Sequence, residues 1–276
     1  MSKGRILKKI IRDVLIIVVI LISIFPIIWI FLNAIKTNAQ TIEIPPVWVF
    51  KPDWSHFLNL ILSDQFNLRL AMLNSTVVAL STTGMALLIG FPCAYSISRF
   101  KTGGRNFAMW IISFRMLPPV IFMIPMFIIF LSLKLLDTHI GLAFLYLIFT
   151  LPLVIWVLKS FIDEIPKEFE EAAMIDGCSA TSIMWRIVFP IAMPGIVSVA
   201  ILSFFFSFTE FFFAYVFTSA SAITMPAMAA IFITQYTWLW ADLSASIVLT
   251  MIPLAIFLAL IQKELVRGLT MGAIKG

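Results

Sequence analysis

Arg115 and Glu210 stand inside long apolar stretches of this 276-residue chain. A charge in hydrocarbon is costly, so such residues mark a solute pathway or a paired interior site. Thr209 beside Glu210, and Asn74 at the start of another apolar stretch, add neutral polar groups. Of the four, Glu210 is the better candidate for accepting hydrogen bonds from the hydroxyl groups of a solute. Counting about 1.5 Å per helical residue, Arg115 lies about 13 Å from the basic, cytoplasmic end of its span and Glu210 about 25 Å from that of its own. A direct pair therefore needs offset helices or a water. The competing reading is that both residues hold helices together through backbone or polar neighbours.

Other chemistry is missing. There is no phosphate loop of the form G-x-x-x-x-G-K-[ST], so the chain is not expected to hydrolyse ATP. His56 and His139 are isolated and expected in solvated external loops, without the spacing of a zinc site. Cys93 and Cys178 have neither metal spacing nor a plausible disulfide, and read as small packing residues. The aromatic run of Phe204, Phe205, Phe206, Phe208, Phe211, Phe212, Phe213 and Tyr215 covers every face of a helix. Most of it must face lipid or pack, leaving one or two rings at most to line a pathway.

The elements that position these residues follow from composition. The chain is 62% hydrophobic and 12% charged, with mean hydropathy +1.07, which makes it an all-α polytopic membrane protein. Six stretches, about 14–35, 70–98, 107–133, 140–161, 191–219 and 242–262, are long enough to cross a core of about 30 Å as helices. Pro26, Pro92, Pro118, Pro119, Pro125, Pro152 and Pro253 fall inside them. Neighbouring helices can satisfy the carbonyls a proline frees, and the adjacent Pro118 and Pro119 predict the strongest irregularity.

Sidedness follows from the basic residues. Lys3, Arg5, Lys8, Lys9 and Arg12 precede the first span. Arg99, Lys101 and Arg105 separate the second from the third, Lys159, Lys167 and Arg186 flank the loop after the fourth, and Lys263, Arg267 and Lys275 follow the sixth. Only Lys36, Lys51, Arg69 and Lys134 fall on the other side, so both termini are expected in the cytoplasm. A seventh crossing through 220–240 would reverse the C-terminal charges, and Pro226 with the Gln235 to Trp240 cluster fits an external loop or short re-entrant helix better. The external 36–69 segment, with Pro45, Pro46, Pro52, Trp48 and Trp54, reads equally as a contact for a soluble partner or as an interfacial cap. The net charge of +5 is absorbed by this topology, which leaves no basic face for nucleic acid. The first apolar run is too long for a signal peptide and lacks a small-residue cleavage site, so it reads as a retained helix.

Between the fourth and fifth spans, residues 163–190 are polar. Asp163 and Pro166 suit a helix start, 167–174 holds helix formers, Gly177 offers a turn at positive φ, and 180–189 can form a second short helix that Pro190 ends. Ala172 and Ala173 would leave room for another surface, to which Glu170 and Glu171 would supply charge.

Glu171-Ala172-Ala173, Gly177, Ile187 and Pro190 form the pattern EAA, three residues, G, nine residues, I-x-F-P. Six such fixed residues arise by chance on the order of once in 10 million start positions. The pattern resembles the EAA loop of membrane subunits of bacterial binding-protein-dependent ABC importers, with Phe189 where the family most often has Leu. Asn74-Ser75, Ala94-Tyr95, Arg99-Phe100, Gly104-Arg105, Arg115 to Pro119 and Leu135 to Thr138 resemble carbohydrate permeases of the maltose type. The tail from Val266 to Gly276 resembles that of the second, six-helix subunit there, and Thr224-Met225-Pro226 with Gln235-Tyr236 matches an external loop that probes the binding protein. Phe208-Thr209-Glu210 replaces the frequent Trp-Asn-Glu, which bears on the substrate.

The resemblance implies a type I ABC importer permease fold, formed by one transmembrane domain over 1–276 with coupling helices in the 163–190 loop. The function it implies is passage of a sugar, oligosaccharide or polyol across the cytoplasmic membrane. Expected partners are a second permease subunit forming a heterodimer, an ATPase dimer that holds ATP and magnesium, an external solute-binding protein, and the lipid bilayer. The chain itself would carry no cofactor. A glycerol-phosphate-like solute is the alternative within this class. An ion-coupled secondary transporter or an intramembrane enzyme would leave the loop and tail unexplained.

Overall fold

The computed structural model describes residues 3–62, 68–233 and 239–271, with side chains for 9–62, 68–233 and 239–259. Among these residues the elements are helical. Four helices are long and apolar enough to cross a membrane, over Lys9–Ala34, Leu68–Phe100, His139–Glu164 and Trp240–Ala259. The total rises to six if each of two bent helix pairs is one span.

The chain divides into two compact units. The first comprises residues 1–68 and 229–252. It holds α1 (Lys3–Ala34), α2 (Asn38–Thr41), α3 (Ser55–Leu62) and a later helical stretch from Trp240. α1 runs unbroken through Pro26 and presents apolar side chains all round from Val14 to Ile28, as a lipid-facing helix does. At its end Lys36 is buried, its Nζ 4.8 Å from the Trp29 ring centroid and 5.2 Å from that of Phe50, so aromatic faces carry the cation. His56 is also buried and bonded within the unit, not solvated as expected for a loop histidine.

The second unit, 69–228 with 253–276, contains α4 (Leu68–Phe100), α5 (Phe107–Ser113), α6 (Val120–Ser132), α7 (His139–Glu164), α8 (Glu168–Ile175), α9 (Ala180–Ile183), α10 (Phe189–Ile191), α11 (Met193–Phe208), α12 (Phe212–Phe217) and α13 (Met225–Ala229). α7 is its central helix, packing against α11, α5 and α12. Thr138 caps it by accepting from the Gly141 N–H at 3.1 Å. Close approach of α4 to α7 depends on Gly90, where a Cβ would lie 2.6 Å from Val154 Cγ1.

Three expected spans are altered. The 107–133 stretch is two arms, Phe107–Met116 and Val120–Ser132, at 91°. Leu117, before Pro118, has ψ 132, the extended conformation that a following proline ring imposes. The 191–219 stretch is α11 and α12 with an interruption between them at 209–211. The last helix, α14 (Trp240–Met271), continues beyond 262 into the basic segment. Pro92, Pro125, Pro152 and Pro253 are accommodated inside helices. In the 220–240 region α13 and a 3-10 turn, Ala230–Phe232, form a short helical segment. Gln235, Tyr236 and the tail residues 272–276 lie outside the described residues.

Candidate functional site

Two groups of residues in the second unit bear on function. The first is the polar segment after α7. That helix runs to Glu164, so Asp163 belongs to its last turn and does not start a new helix; its carboxylate accepts from Lys159 Nζ and from Ser98 Oγ, each at 2.5 Å. Pro166 interrupts the chain, and α8 begins after Lys167 with Glu168, Glu170 and Glu171 in its first turn, where carboxylates offset the exposed N–H dipoles. Gly177 then reverses the chain at φ +79°, and Ser179 caps α9 by accepting from the Ser182 N–H at 3.3 Å.

A π-helical turn, Met184–Val188, leads into α10, with Pro190 in its first turn. The break expected at Pro190 instead follows at Ala192, and Ala180–Ile191 meets α11 at 77°. Pro190 lies just past the π-helical turn, and the helix continues through it to Ile191.

The α8 side chains divide by face. Glu171 and Ala172 are exposed beside Phe169, Met174 and Ile175, the last 87% exposed. Glu170 and Ala173 turn inward. Glu170 is therefore not part of the exposed charge as expected: Arg99 Nε donates to its Oε1 and Tyr95 OH to its Oε2. Arg99 Nη2 also donates to the Ile165 carbonyl at 2.9 Å. Ala173, Ile183 and Val188 share a core with Phe91 and Tyr95 of α4, Val154, Leu158 and Ile162 of α7 and Ile196 and Val199 of α11. Ile187 packs on its edge. The segment is thus anchored to three long helices while its Glu171, Ala172 and Ile175 face outward.

The second group surrounds a cavity of about 230 Å³ whose lining includes Arg115, Tyr146, Thr150, Phe206, Ser207 and Glu210. Arg115 sits on the 3-10 turn Phe114–Met116 just before the proline bend, and Glu210 in the interruption between α11 and α12. Irregular backbone at membrane depth is tolerated where it lines a cavity or is covered by protein, and both breaks open here. The two ionisable groups are thereby brought to one space. Arg115 Cζ lies 5.0 Å from the Phe206 ring centroid. The Glu210 carboxylate accepts from the Phe213 N–H at 3.1 Å and the Ala214 N–H at 3.4 Å, at the start of α12.

The other two expected pathway residues sit elsewhere. Thr209 donates to the Phe205 carbonyl at 2.8 Å, closing the end of α11. Asn74 is buried, donates to the Ser221 and Ile223 carbonyls at 3.0 and 2.9 Å, and bonds His139 Nε2 through its side-chain oxygen at 2.7 Å. It fastens a loop, and its polar atoms are occupied. His139, expected to be solvated, is half-buried by that bond. Sequence reasoning overlooked Ser207, Tyr146 and Thr150, ordinary residues within apolar helices. It placed Asp137 in the Leu135 to Thr138 resemblance but gave it no role; the carboxylate gathers the 219–222 backbone N–H groups. The physical signal for that role is an acidic residue in a short connection between two spans.

Comparison with known proteins gives the arrangement a context. Residues 86–271 match the family described as binding-protein-dependent transport system inner membrane component. The chain is 33% identical, over 92% of its length and 90% of the relative's, to the sulfoquinovosyl glycerol transport system permease protein SmoH of Agrobacterium fabrum. It is 31% identical, over 99% of both, to the trehalose/maltose transport system permease protein MalG of Thermococcus litoralis. A chain from the crystal structure of a bacterial ABC transporter that imports the acidic polysaccharide alginate superposes with TM-score 0.71 at 21% identity, covering 95% of this chain and 98% of that one. That likeness is one of fold.

Proposed function

The chain belongs to the binding-protein-dependent transport system inner membrane components, and from that premise we propose that it passes a sugar, oligosaccharide or polyol through the cytoplasmic membrane as one permease subunit of an ATP-driven importer. The observation that carries this reading is the anchoring of the 163–190 segment. Its outward face is free to be pushed, while its inward face shares a core with α4, α7 and α11, the last two of which also line the cavity through Tyr146 and Ser207.

A push on α8 therefore tilts cavity-lining helices as a body, because a packed core transmits displacement. ATP and magnesium belong to a separate ATPase dimer that meets Glu171, Ala172 and the Gly177 turn. A second, related permease subunit completes the path, and an external binding protein delivers solute. Both termini and the coupling segment face the cytoplasm, in keeping with the basic residues around them. Relatives named for sulfoquinovosyl glycerol and for trehalose and maltose favour a sugar over glycerol phosphate.

The test is uptake of labelled sugars, polyols and glycerol phosphates by cells with and without this gene, all partner genes intact. Loss of one sugar or polyol is the expected result. Loss confined to a phosphorylated solute, or unchanged uptake of every solute, contradicts it.

A further inference from the structure

The polar groups of the cavity are unevenly partnered. Arg115 enters it as a fixed cation, since guanidinium stays protonated at any physiological pH. Among the described residues it forms neither an ion pair nor a side-chain hydrogen bond, and the contact it makes is the face of Phe206 at 5.0 Å. An aromatic face attracts a cation but neutralises no charge. The acid in the same cavity is already engaged, because both Glu210 oxygens accept from the amides that open α12. A third feature is independent of these two. Ser207, 4% exposed, also lines the cavity, and among the described residues its Oγ has no hydrogen-bond partner. A buried hydroxyl without a partner costs free energy that a bound group can recover.

A forked cation, an unused hydroxyl and an aromatic wall in one cavity suit an oxyanion attached to a ring. We infer that the transported solute is an acidic sugar, whose carboxylate or sulfonate accepts a forked pair of hydrogen bonds from Arg115 while a hydroxyl or ring oxygen engages Ser207. A neutral sugar offers the guanidinium fork no pair of anionic oxygens to match its parallel N–H donors. A dianionic phosphate brings a second negative charge toward Glu210, which disfavours it relative to a monoanion. Arginine supports this recognition better than lysine, because its planar fork matches two oxygens of one group. The inference rests on the permease reading above and narrows it to one class of solute.

The test uses the complete importer, with both permease subunits, the ATPases and the binding protein, in proteoliposomes. Labelled solutes are paired by charge: cellobiose with cellobiouronate, and glucose with glucuronate, glucose 6-sulfonate and glucose 6-phosphate. Arg115→Gln, Arg115→Lys and Ser207→Ala are compared with wild type, each first shown by co-purification to assemble with its partners.

The expected result is uptake of carboxylated or sulfonated sugars, reduced about tenfold or more by Arg115→Gln, less by Arg115→Lys and several-fold by Ser207→Ala. Uptake of neutral sugars alone, or acidic uptake unchanged in Arg115→Gln, overturns the acidic assignment and leaves the sugar permease standing. If Arg115→Gln does not assemble, unchanged acidic uptake in both Arg115→Lys and Ser207→Ala overturns it equally. Uptake of the 6-phosphate alone overturns it in favour of a phosphorylated solute. Transport of none of these by an importer that hydrolyses ATP removes the sugar reading as well.

Discussion

Arg99 in the last turn of α4 donates from Nε to Oε1 of Glu170 in α8 at 2.5 Å, with the two side chains 7% and 5% exposed. Tyr95, one turn earlier, donates to Oε2 at 2.8 Å. The pair fastens the start of the 163–190 segment to the end of α4. Breaking a buried pair from one side costs about 3–5 kcal/mol, because the surviving charge is left uncompensated. Glu170→Met and Arg99→Met are each expected to lose that much in chemical unfolding of the purified protein, and the double variant to regain most of it. Additive losses in a double-mutant cycle would show that the two do not act as a pair.

The extent to which the sequence anticipated this structure differs by element. Helices such as 139–164 were legible because nothing but apolar length is needed to place them, and the double proline declared the bend at 117–119. The inward turn of Glu170 was not legible, since an EAA run exposes or buries each carboxylate only according to which neighbour supplies a cation. Arg99 read as one more basic residue beside a membrane, and its part in the core depends on α4 and α8 meeting in space. His139 and His56 read as solvated, and Asn74 as a pathway group, for the same reason: what a polar residue near a span end does stays hidden until its partner, 65 to 186 residues away, is known. Arg115 and Glu210 stood out because charge in an apolar stretch is rare. That they share a cavity follows from two helix breaks, of which only the proline one was signalled.

Gly177 offers a test of the exposed turn. At φ +79° an L side chain is strained although a Cβ would meet nothing within 4 Å, so the cost of Gly177→Ala is conformational, about 1–2 kcal/mol. A bulky residue such as Trp adds a steric obstacle on the outward face, and Glu171→Lys reverses its charge. Both are expected to uncouple ATP hydrolysis from uptake, or to prevent co-purification with the ATPase, while Gly177→Asn retains function because Asn visits this conformation. Wild-type uptake in both the Trp and the Lys variants would deny the turn any part in coupling.

Asp137, at φ +54°, holds the 219–222 loop. Burial pushes its carboxyl pKa up, but N–H donors from Ser221, Ala222, Ser219 and Ala220 outweigh this and hold it at about 2. A depressed acid stabilises above its ordinary value near 3.8 and loses that stabilisation as pH falls through about 2. At neutral pH the contact is therefore fully present. Asp137→Ala is expected to cost on the order of 1–3 kcal/mol locally and to raise hydrogen exchange at the four amides by at least about tenfold. Unchanged exchange there would mean that the loop holds its shape without the carboxylate.

His56 makes the opposite pH dependence. Its Nδ1 lies 2.8 Å from Asp242 Oδ1 and its Nε2 3.8 Å from Asp53 Oδ2. The hydrogen bond to Asp242 raises its pKa most, burial opposes that, and the charges of Asp242 and Asp53 add to the rise. The nearby Lys36 backbone adds the smallest upward contribution. A raised histidine stabilises the fold fully below its unfolded value of about 6.5, and the contribution is lost as pH rises through the folded value. His56→Gln should therefore lower the unfolding temperature most at about pH 6, with the difference from wild type shrinking toward about pH 9. A difference that stays constant across that range would show that the ring acts by shape and neutral hydrogen bonding, with no charged state favoured by folding.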